Sequence, residues 1–171
     1  VGVTHGQYTA YPTATDPAAV QLSVLRQAPL QNQHIMGWGA DNPMPAPAVY
    51  NWRSLDERMA LIDQTGAEPV ITLCCAPDWM KGGRPGFTDW TRLEVAPLEE
   101  HFDDFAHLAA DVAARYPDVR YFQVWNEFKG FYSPTRNTWD VQAYVRLYNE
   151  VYNAIQNGVI AFACNVPGCT C

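Results

Sequence analysis

One carboxylic acid in this sequence follows an apolar run and stands directly after a tryptophan and an asparagine. Glu127 ends the segment Val124-Trp125-Asn126-Glu127, which continues a strand-like run. Burial beside the indole ring disfavours the charged form of a carboxyl group, so the group can donate a proton. Cleavage of a glycosidic bond needs such a donor, together with a second carboxylate on the other face of the sugar. Asn126 adds an amide donor for a substrate hydroxyl group, so these two residues are the candidate catalytic pair.

Three tryptophans occupy similar positions, each at the end of a predicted strand: Trp38, Trp79 and Trp125. An indole ring has a flat apolar face for stacking on a sugar ring and one N–H for a hydroxyl group. A position in the hydrophobic core is the alternative for each of them. His5 and Asp78 also stand at predicted strand ends. We therefore expect these five side chains to bind substrate.

Four strand-like segments alternate with helix-like segments, which predicts parallel strands joined by crossover helices. The predicted strands are residues 1–8, 33–38, 68–75 and 119–125. In barrels of this kind the active site lies at the C-terminal ends of the strands, where the residues named above stand. A complete barrel needs about 250 residues, whereas this chain has 171. The predicted fold class is therefore α/β, a partial TIM (β/α)8 barrel of about four units.

The predicted helices follow the strands in order. The first covers residues 16–27 with Asp16 as its cap, the second begins at Ser54 and stops at Gly66, and the fourth covers 138–156. The third helix has apolar residues at helical spacing: Phe102, Phe105, Leu108, Val112 and Tyr116. In the fourth helix the residues predicted to face inward are Val141, Tyr144, Val145, Tyr148, Tyr152 and Ile155. Residues 1–157 form the barrel part, and residues 158–171 an irregular tail in which 159–163 is a candidate short strand.

Five cysteines leave at least one without an intramolecular disulfide partner. Cys74 and Cys75 are neighbours in an apolar strand, so we expect them to point to opposite faces as small buried hydrophobic side chains. Cys164, Cys169 and Cys171 lie close together at the end of the chain, and their spacing matches no zinc pattern with a fourth ligand. A metal site built from a histidine and the cysteines is an alternative, but we expect no metal and no cofactor.

The composition limits the class of partner. The net charge of −7 argues against nucleic acid or an anionic membrane, because phosphate binding needs clustered basic residues. Aromatic residues make up 13% of the chain and suit neutral, flat-faced ligands. No apolar run is long enough for a membrane span, so we expect a soluble protein. A first residue other than Met is compatible with processing and gives a secreted or extracellular location a slight preference.

The segment Tyr121-Phe122-Gln123-Val124-Trp125-Asn126-Glu127 resembles the fourth-strand signature of the large clan of retaining glycoside hydrolases with (β/α)8 barrels. Within that clan, residues 1–157 most resemble glycoside hydrolase family 39 and its relatives, which include β-xylosidases and iduronidases. Residues 69–79 and 144–155 add to this resemblance. It implies hydrolysis of O-glycosyl bonds in an oligo- or polysaccharide, with Glu127 as acid/base and Asn126 in contact with the 2-hydroxyl group. A non-catalytic carbohydrate-binding or scaffold half barrel is the alternative.

The chain departs from the family pattern in two places. Many clan members have proline after the glutamate, whereas Phe128-Lys129-Gly130-Phe131 follows here and shapes the leaving-group site differently. The family's nucleophile is a glutamate at the end of the seventh strand, and residues 1–171 end before that strand. We interpret five acidic residues as solvated charge near a helix N-terminus: Glu94, Glu99, Glu100, Asp103 and Asp104. We therefore expect the N-terminal half of a glycosidase, inactive alone, whose open strand edges favour self-association.

Overall fold

The structure is a computed structural model that describes the backbone of residues 2–9 and 18–164 and the side chains of residues 2–9 and 22–158. The predicted helix cap Asp16 and the tail cysteines Cys169 and Cys171 lie outside the described residues. So does the side chain of Cys164.

Four parallel strands form one sheet in the order β1-β2-β3-β4. They are β1 (Gly2–Thr4), β2 (Leu30–His34), β3 (Glu68–Leu73) and β4 (Tyr121–Val124). Each strand is followed by a helix: α1 (Ala18–Leu25), α2 (Arg53–Thr65), α3 (Phe102–Arg115) and α4 (Val141–Cys164). The described sheet does not close on itself, so the architecture is a partial barrel of four βα units, as predicted.

Each strand ends before its predicted end, and β2 also begins three residues earlier than predicted, at Leu30. After β2, Trp38 has a φ of 49°, between Gly37 and Gly39, which also have positive φ. After β4, Trp125 has a φ of 66°. Such left-handed conformations cannot continue a strand, because strand residues need strongly negative φ. The strand-end tryptophans therefore belong to the turns that follow the strands.

Two features of the helices differ from the prediction. Ser54 is not the cap of α2, because the helix starts one residue earlier and the Ser54 hydroxyl accepts a hydrogen bond from the Asp41 N–H at 2.7 Å. The predicted short strand at 159–163 is wrong, since α4 continues through Gly158 to Cys164. A single glycine costs a helix only about 1 kcal/mol, so Gly158 does not end α4. Among the described helices, none has both the length and the apolar character needed to cross a membrane.

The hydrophobic core lies between the sheet and the outer helices. α3 buries the face that was predicted, including Phe105, Leu108 and Val112. α4 buries Leu147 and Val151 instead of most of its predicted stripe. The members of that stripe that are exposed are Val141, Val145, Tyr148 and Tyr152. The prediction failed because α4 has two adjacent apolar stripes, and helical spacing alone does not say which one meets α3.

The sheet leaves apolar surface uncovered on the side away from the helices. β1 and β4 each pair with only one neighbour in the described sheet. Leu30 and Tyr121 are large hydrophobic residues of the sheet that are exposed. In a closed barrel such inward-facing side chains would form the packed interior.

An ion pair joins α2 to α3 at the outer surface. Both nitrogens of the Arg115 fork donate to the Asp56 carboxylate, at 2.7 and 2.6 Å, and the Tyr116 hydroxyl donates to it at 2.8 Å. The hydrogen bonds from Arg115 hold the pKa of Asp56 below its usual value. The stabilisation from this pair is therefore present above about pH 4 and is lost as the pH falls through the lower folded-state pKa.

We expect Asp56→Asn to lower the free energy of unfolding at pH 7 by about 1 kcal/mol or less, because both side chains are partly exposed to solvent. The difference from the wild type should shrink as the pH falls below about 4. Urea unfolding followed by circular dichroism at several pH values measures this. Asp63→Asn, at an exposed position of the same helix, is the control. A difference that stays constant down to pH 2 would contradict the prediction.

Candidate active site

The C-terminal ends of the central strands meet at one rim through backbone hydrogen bonds. The Met36 N–H donates to the Cys74 carbonyl at 3.2 Å, and the Trp125 N–H donates to the Leu73 carbonyl at 3.1 Å. The segments after β2, β3 and β4 therefore lie side by side. Asn126 and Glu127 emerge from the last of these segments.

The Glu127 carboxylate lies at the surface of this rim. Its side chain is 54% exposed, and its Oε2 atom lies 2.8 Å from Nζ of Lys129. The desolvated surroundings expected from the neighbouring Trp125 are thus not present around Glu127 in the described residues. Its charge is balanced instead by the ammonium group of Lys129, in the loop that follows.

Lys129 also binds a second carboxylate. Glu94 Oε2 lies 2.6 Å from the same Nζ atom, and the two glutamates together raise the pKa of Lys129, with the hydrogen bond to Glu127 as the larger cause. Glu94 lies in the loop between β3 and α3, before the helix where solvated charge was expected. The ammonium group holds the two carboxylates together, so the three groups form an ion-paired triad.

Asn126 lies beside a histidine that sequence reasoning missed. His34 ends β2, is buried, and stacks on the Trp38 ring with 4.1 Å between ring centroids. Burial lowers the pKa of His34, and the Asn126 side chain acts in the opposite direction. The neutral imidazole is therefore favoured near pH 7. The sequence feature that could have identified His34 is its position four residues before Trp38, at the end of a mostly polar strand.

Trp125 and Trp79 are buried in the core, and only Trp38 of the three rings is partly exposed. Trp125 contacts Phe105 and Phe131 edge-on, with ring centroids 5.8 and 5.6 Å apart. The Trp79 indole N–H donates to the Met44 carbonyl at 3.0 Å. The expected platform of three exposed rings is therefore reduced to one ring, because the turns after β3 and β4 direct the other two toward the helices.

His5 and Asp78 are buried and have partners within the protein. Nε2 of His5 lies 2.8 Å from Oε1 of Gln31, and burial lowers the pKa of the histidine. Oδ2 of Asp78 accepts a hydrogen bond from the Asp89 N–H at 2.7 Å, while Oδ1 lies 3.7 Å from Nζ of the buried Lys81. Asp78 thus fastens the long β3–α3 loop to the strand end.

Cys74 and Cys75 are buried, as expected, but they do not act as two separate thiols pointing to opposite faces. They are joined by a disulfide between adjacent residues. The expectation was wrong because it assumed that the strand continues through both residues, whereas β3 ends at Leu73. Among the described residues, no group of three or more His, Cys, Asp or Glu side chains is arranged to hold a metal ion.

Comparison with known proteins finds similarity at the level of structure. No family model matches the chain, and no curated protein matches it by sequence. A family 39 glycoside hydrolase from Bacteroides cellulosilyticus WH2 superposes with a TM-score of 0.62 at 17% identity, over 92% of this chain and 29% of that one. Xylanase 10B from Thermotoga maritima gives a TM-score of 0.60 at 15% identity, over 92% of this chain and 46% of that one.

A monomeric β-xylosidase from Caulobacter crescentus CB15 gives a TM-score of 0.58 at 21% identity, over 92% of this chain and 33% of that one. The chain spans less than half the length of each of these three proteins. At such identities the likeness concerns the fold. The chain therefore has, over part of their length, the barrel fold of these glycoside hydrolases.

Proposed function

We propose that this chain is part of a retaining glycoside hydrolase in which Glu127 is the acid/base. The observation that carries the proposal is the position of Asn126 and Glu127 at the C-terminal strand ends of a glycosidase-type fold, on the rim that also holds Trp38. Glu127 protonates the leaving oxygen and then activates water, as the acid/base of a double displacement does. Asn126 donates a hydrogen bond to a sugar hydroxyl next to the reacting carbon.

The proposed substrate is a neutral glycan of the xylan type or a related oligosaccharide. Two of the structural neighbours are a xylanase and a β-xylosidase, and the net charge of −7 disfavours polyanionic ligands. The partly exposed Trp38 is the proposed stacking surface, supported from behind by His34. For His5, Asp78, Trp79 and Trp125 we propose an indirect part in substrate binding, through the packing and hydrogen bonds that shape the rim.

The nucleophile is proposed to come from outside residues 1–171. A retaining enzyme needs two carboxyl groups about 5 to 5.5 Å apart, facing the same anomeric carbon. Glu94 lies close enough to Glu127, but we do not propose it for this role, because the Lys129 ammonium group binds both carboxylates and competes with a sugar ring for the space beside them. The corresponding residue of the family is a glutamate on a later strand. The exposed edges of β1 and β4 support the further proposal that the chain alone self-associates.

We expect residues 1–171 alone to release no aryl alcohol from 4-nitrophenyl β-xyloside above the buffer rate, because the proposed nucleophile lies outside these residues. A longer polypeptide that adds further βα units should hydrolyse it with retention of anomeric configuration, which proton NMR of the first product detects. Glu127→Gln is the control for each. Hydrolysis by residues 1–171 that disappears in Glu127→Gln would show that the second catalytic group lies within this chain. Inversion by the longer polypeptide would refute the retaining mechanism.

A non-catalytic glycan-binding role is the second candidate, and one observation favours it. The Glu127 carboxylate is occupied by Lys129 and is open to solvent, as in a structural ion pair. In that role Glu127→Gln would leave every measurable property of the longer polypeptide unchanged except local stability. Turnover that depends on Glu127 separates the two functions.

A further inference from the structure

Two surface cavities lie next to each other on the strand-end side of the sheet. The first measures about 610 Å³, within the range of roughly 300 to 1,000 Å³ that is usual for small-ligand sites, and its wall includes Tyr8, Trp38 and Asp41. The second measures about 630 Å³, and its wall includes Lys129 and Tyr132. Trp90 and Leu93 line both cavities. The two spaces therefore meet at one tryptophan.

Aromatic side chains are spread along both cavities. Tyr8 is 69% exposed and Trp90 is 50% exposed, and Trp38 and Tyr132 add further ring surface. Exposed tryptophan is unusual, since this residue is highly buried on average. Rings with an apolar face and a polar edge suit the faces of sugar rings.

The charged side chains that line the two cavities are balanced in sign: Asp41, Arg92, Glu94 and Lys129. Two are acidic and two are basic, so neither cavity presents a field that would select a charged polymer. A neutral ligand fits this lining.

The two cavities approach the candidate catalytic residues from two sides. The first contains Trp38, which stacks on His34 next to Asn126. The second contains Lys129, whose ammonium group lies 2.8 Å from Glu127. A ligand that occupied both cavities would pass over Trp90 and reach Lys129, the ion-pair partner of Glu127.

Trp90 is held in place by a network of hydrogen bonds. It begins the short turn Trp90–Arg92, and the preceding Asp89 donates its N–H to the buried Asp78 carboxylate at 2.7 Å. The buried Lys81 ammonium donates to the Arg92 carbonyl at 2.9 Å. These bonds fix the backbone that carries Trp90, so the loop needs little ordering when a ligand binds, which favours affinity.

We propose that the two cavities form one open groove for an extended neutral oligosaccharide, with Trp90 as its central stacking surface. The choice of a glycan as the ligand rests on the proposed function. Binding can be tested with residues 1–171 alone, and no catalysis is needed.

The test is titration of the purified chain with xylose oligomers of two and six units, followed by calorimetry. We expect the hexamer to bind at least about tenfold more tightly than the dimer, because only the hexamer reaches both cavities. Trp90→Ala should weaken hexamer binding about tenfold, a loss that corresponds to about 1.4 kcal/mol. Trp90→Phe, which keeps a ring, should restore most of the affinity.

Trp139→Ala is the matched control. Trp139 is similarly exposed and lines neither cavity. It touches the groove only through Tyr132, whose ring centroid lies 5.0 Å from its own, so its replacement should weaken hexamer binding much less than Trp90→Ala does. Glu127→Gln should also bind the hexamer, which keeps this test separate from that of the catalytic role. Equal affinities for dimer and hexamer, equal losses in Trp90→Ala and Trp139→Ala, or no hexamer binding by the folded chain would each overturn the groove, whatever the outcome for Glu127.

Discussion

Replacing Glu127 with Gln in an active polypeptide that contains these residues is expected to lower kcat about 10²- to 10⁴-fold on glycosides with poor leaving groups. The amide is nearly the same size as the carboxyl group but cannot transfer a proton to the leaving oxygen. Substrates with a good leaving group, such as 4-nitrophenolate, need little protonation, so their first bond-breaking step should be affected much less. The measurement is kcat/KM, which reports the first bond-breaking step, for a series of aryl glycosides of increasing leaving-group pKa.

Glu94→Gln is the matched control, because Glu94 makes the same ion pair with Lys129. A purely structural role of the triad would make the two variants behave alike, with no dependence on the leaving group. A catalytic role makes only Glu127→Gln sensitive to the leaving group. An unchanged kcat for Glu127→Gln on a poor leaving group would remove this residue from the acid role.

Replacing Arg58 with Ala is expected to lower the free energy of unfolding by about 3 kcal/mol or more. Arg58 on α2 is almost completely buried. Its guanidinium donates to the Gly6 and Gln7 carbonyls at 3.2 and 3.3 Å and to Oε1 of Gln33 at 3.1 Å. Without these donors, buried acceptors lose their hydrogen-bond partners and a cavity remains. Each of these changes lowers the free energy of unfolding.

The same substitution should loosen the segment after β1. Gln7 and Tyr8 line the first cavity, so faster amide hydrogen exchange at residues 6–9 is expected together with the loss of stability. Arg58→Lys keeps the charge but loses the forked guanidinium group, so its free energy of unfolding should lie between those of the wild type and Arg58→Ala. Arg53→Ala, at the largely exposed start of the same helix, is the control and should change stability by less than about 0.5 kcal/mol. An equal effect of the two alanine substitutions would contradict this account of Arg58.

Local pattern was enough to predict the architecture and the rim. Alternating strand-like and helix-like segments indicated a parallel sheet, because crossover connections require it. Asn126 and Glu127 were found because they directly follow an apolar strand-like segment, and the carboxyl ends of parallel strands share one edge. The buried face of α3 followed from helical spacing, since that helix has a single apolar stripe, with Phe105 and Leu108 at its centre.

Tertiary structure decided every question in which a residue had two plausible environments. The side chains of Trp79 and Trp125 could face either a ligand or the core, and the turns at the strand ends direct both into the core. α4 could bury either of two stripes, and contact with α3 selected the one with Leu147 and Val151. In each case the free energy depends on neighbours distant in sequence, which the spacing of residues along one element does not contain.

The electrostatics of the site also depend on contacts between distant segments. Lys129 pairs with Glu127, two residues away, but also with Glu94 from the β3–α3 loop. The sequence predicted a desolvated acid beside Trp125, whereas the folded chain gives Glu127 a charged partner and access to solvent. Trp90, in a loop without strand or helix periodicity, was not recognised at all. Its proposed role became visible only when folding brought it between two cavities, because a shared surface is a property of the tertiary arrangement.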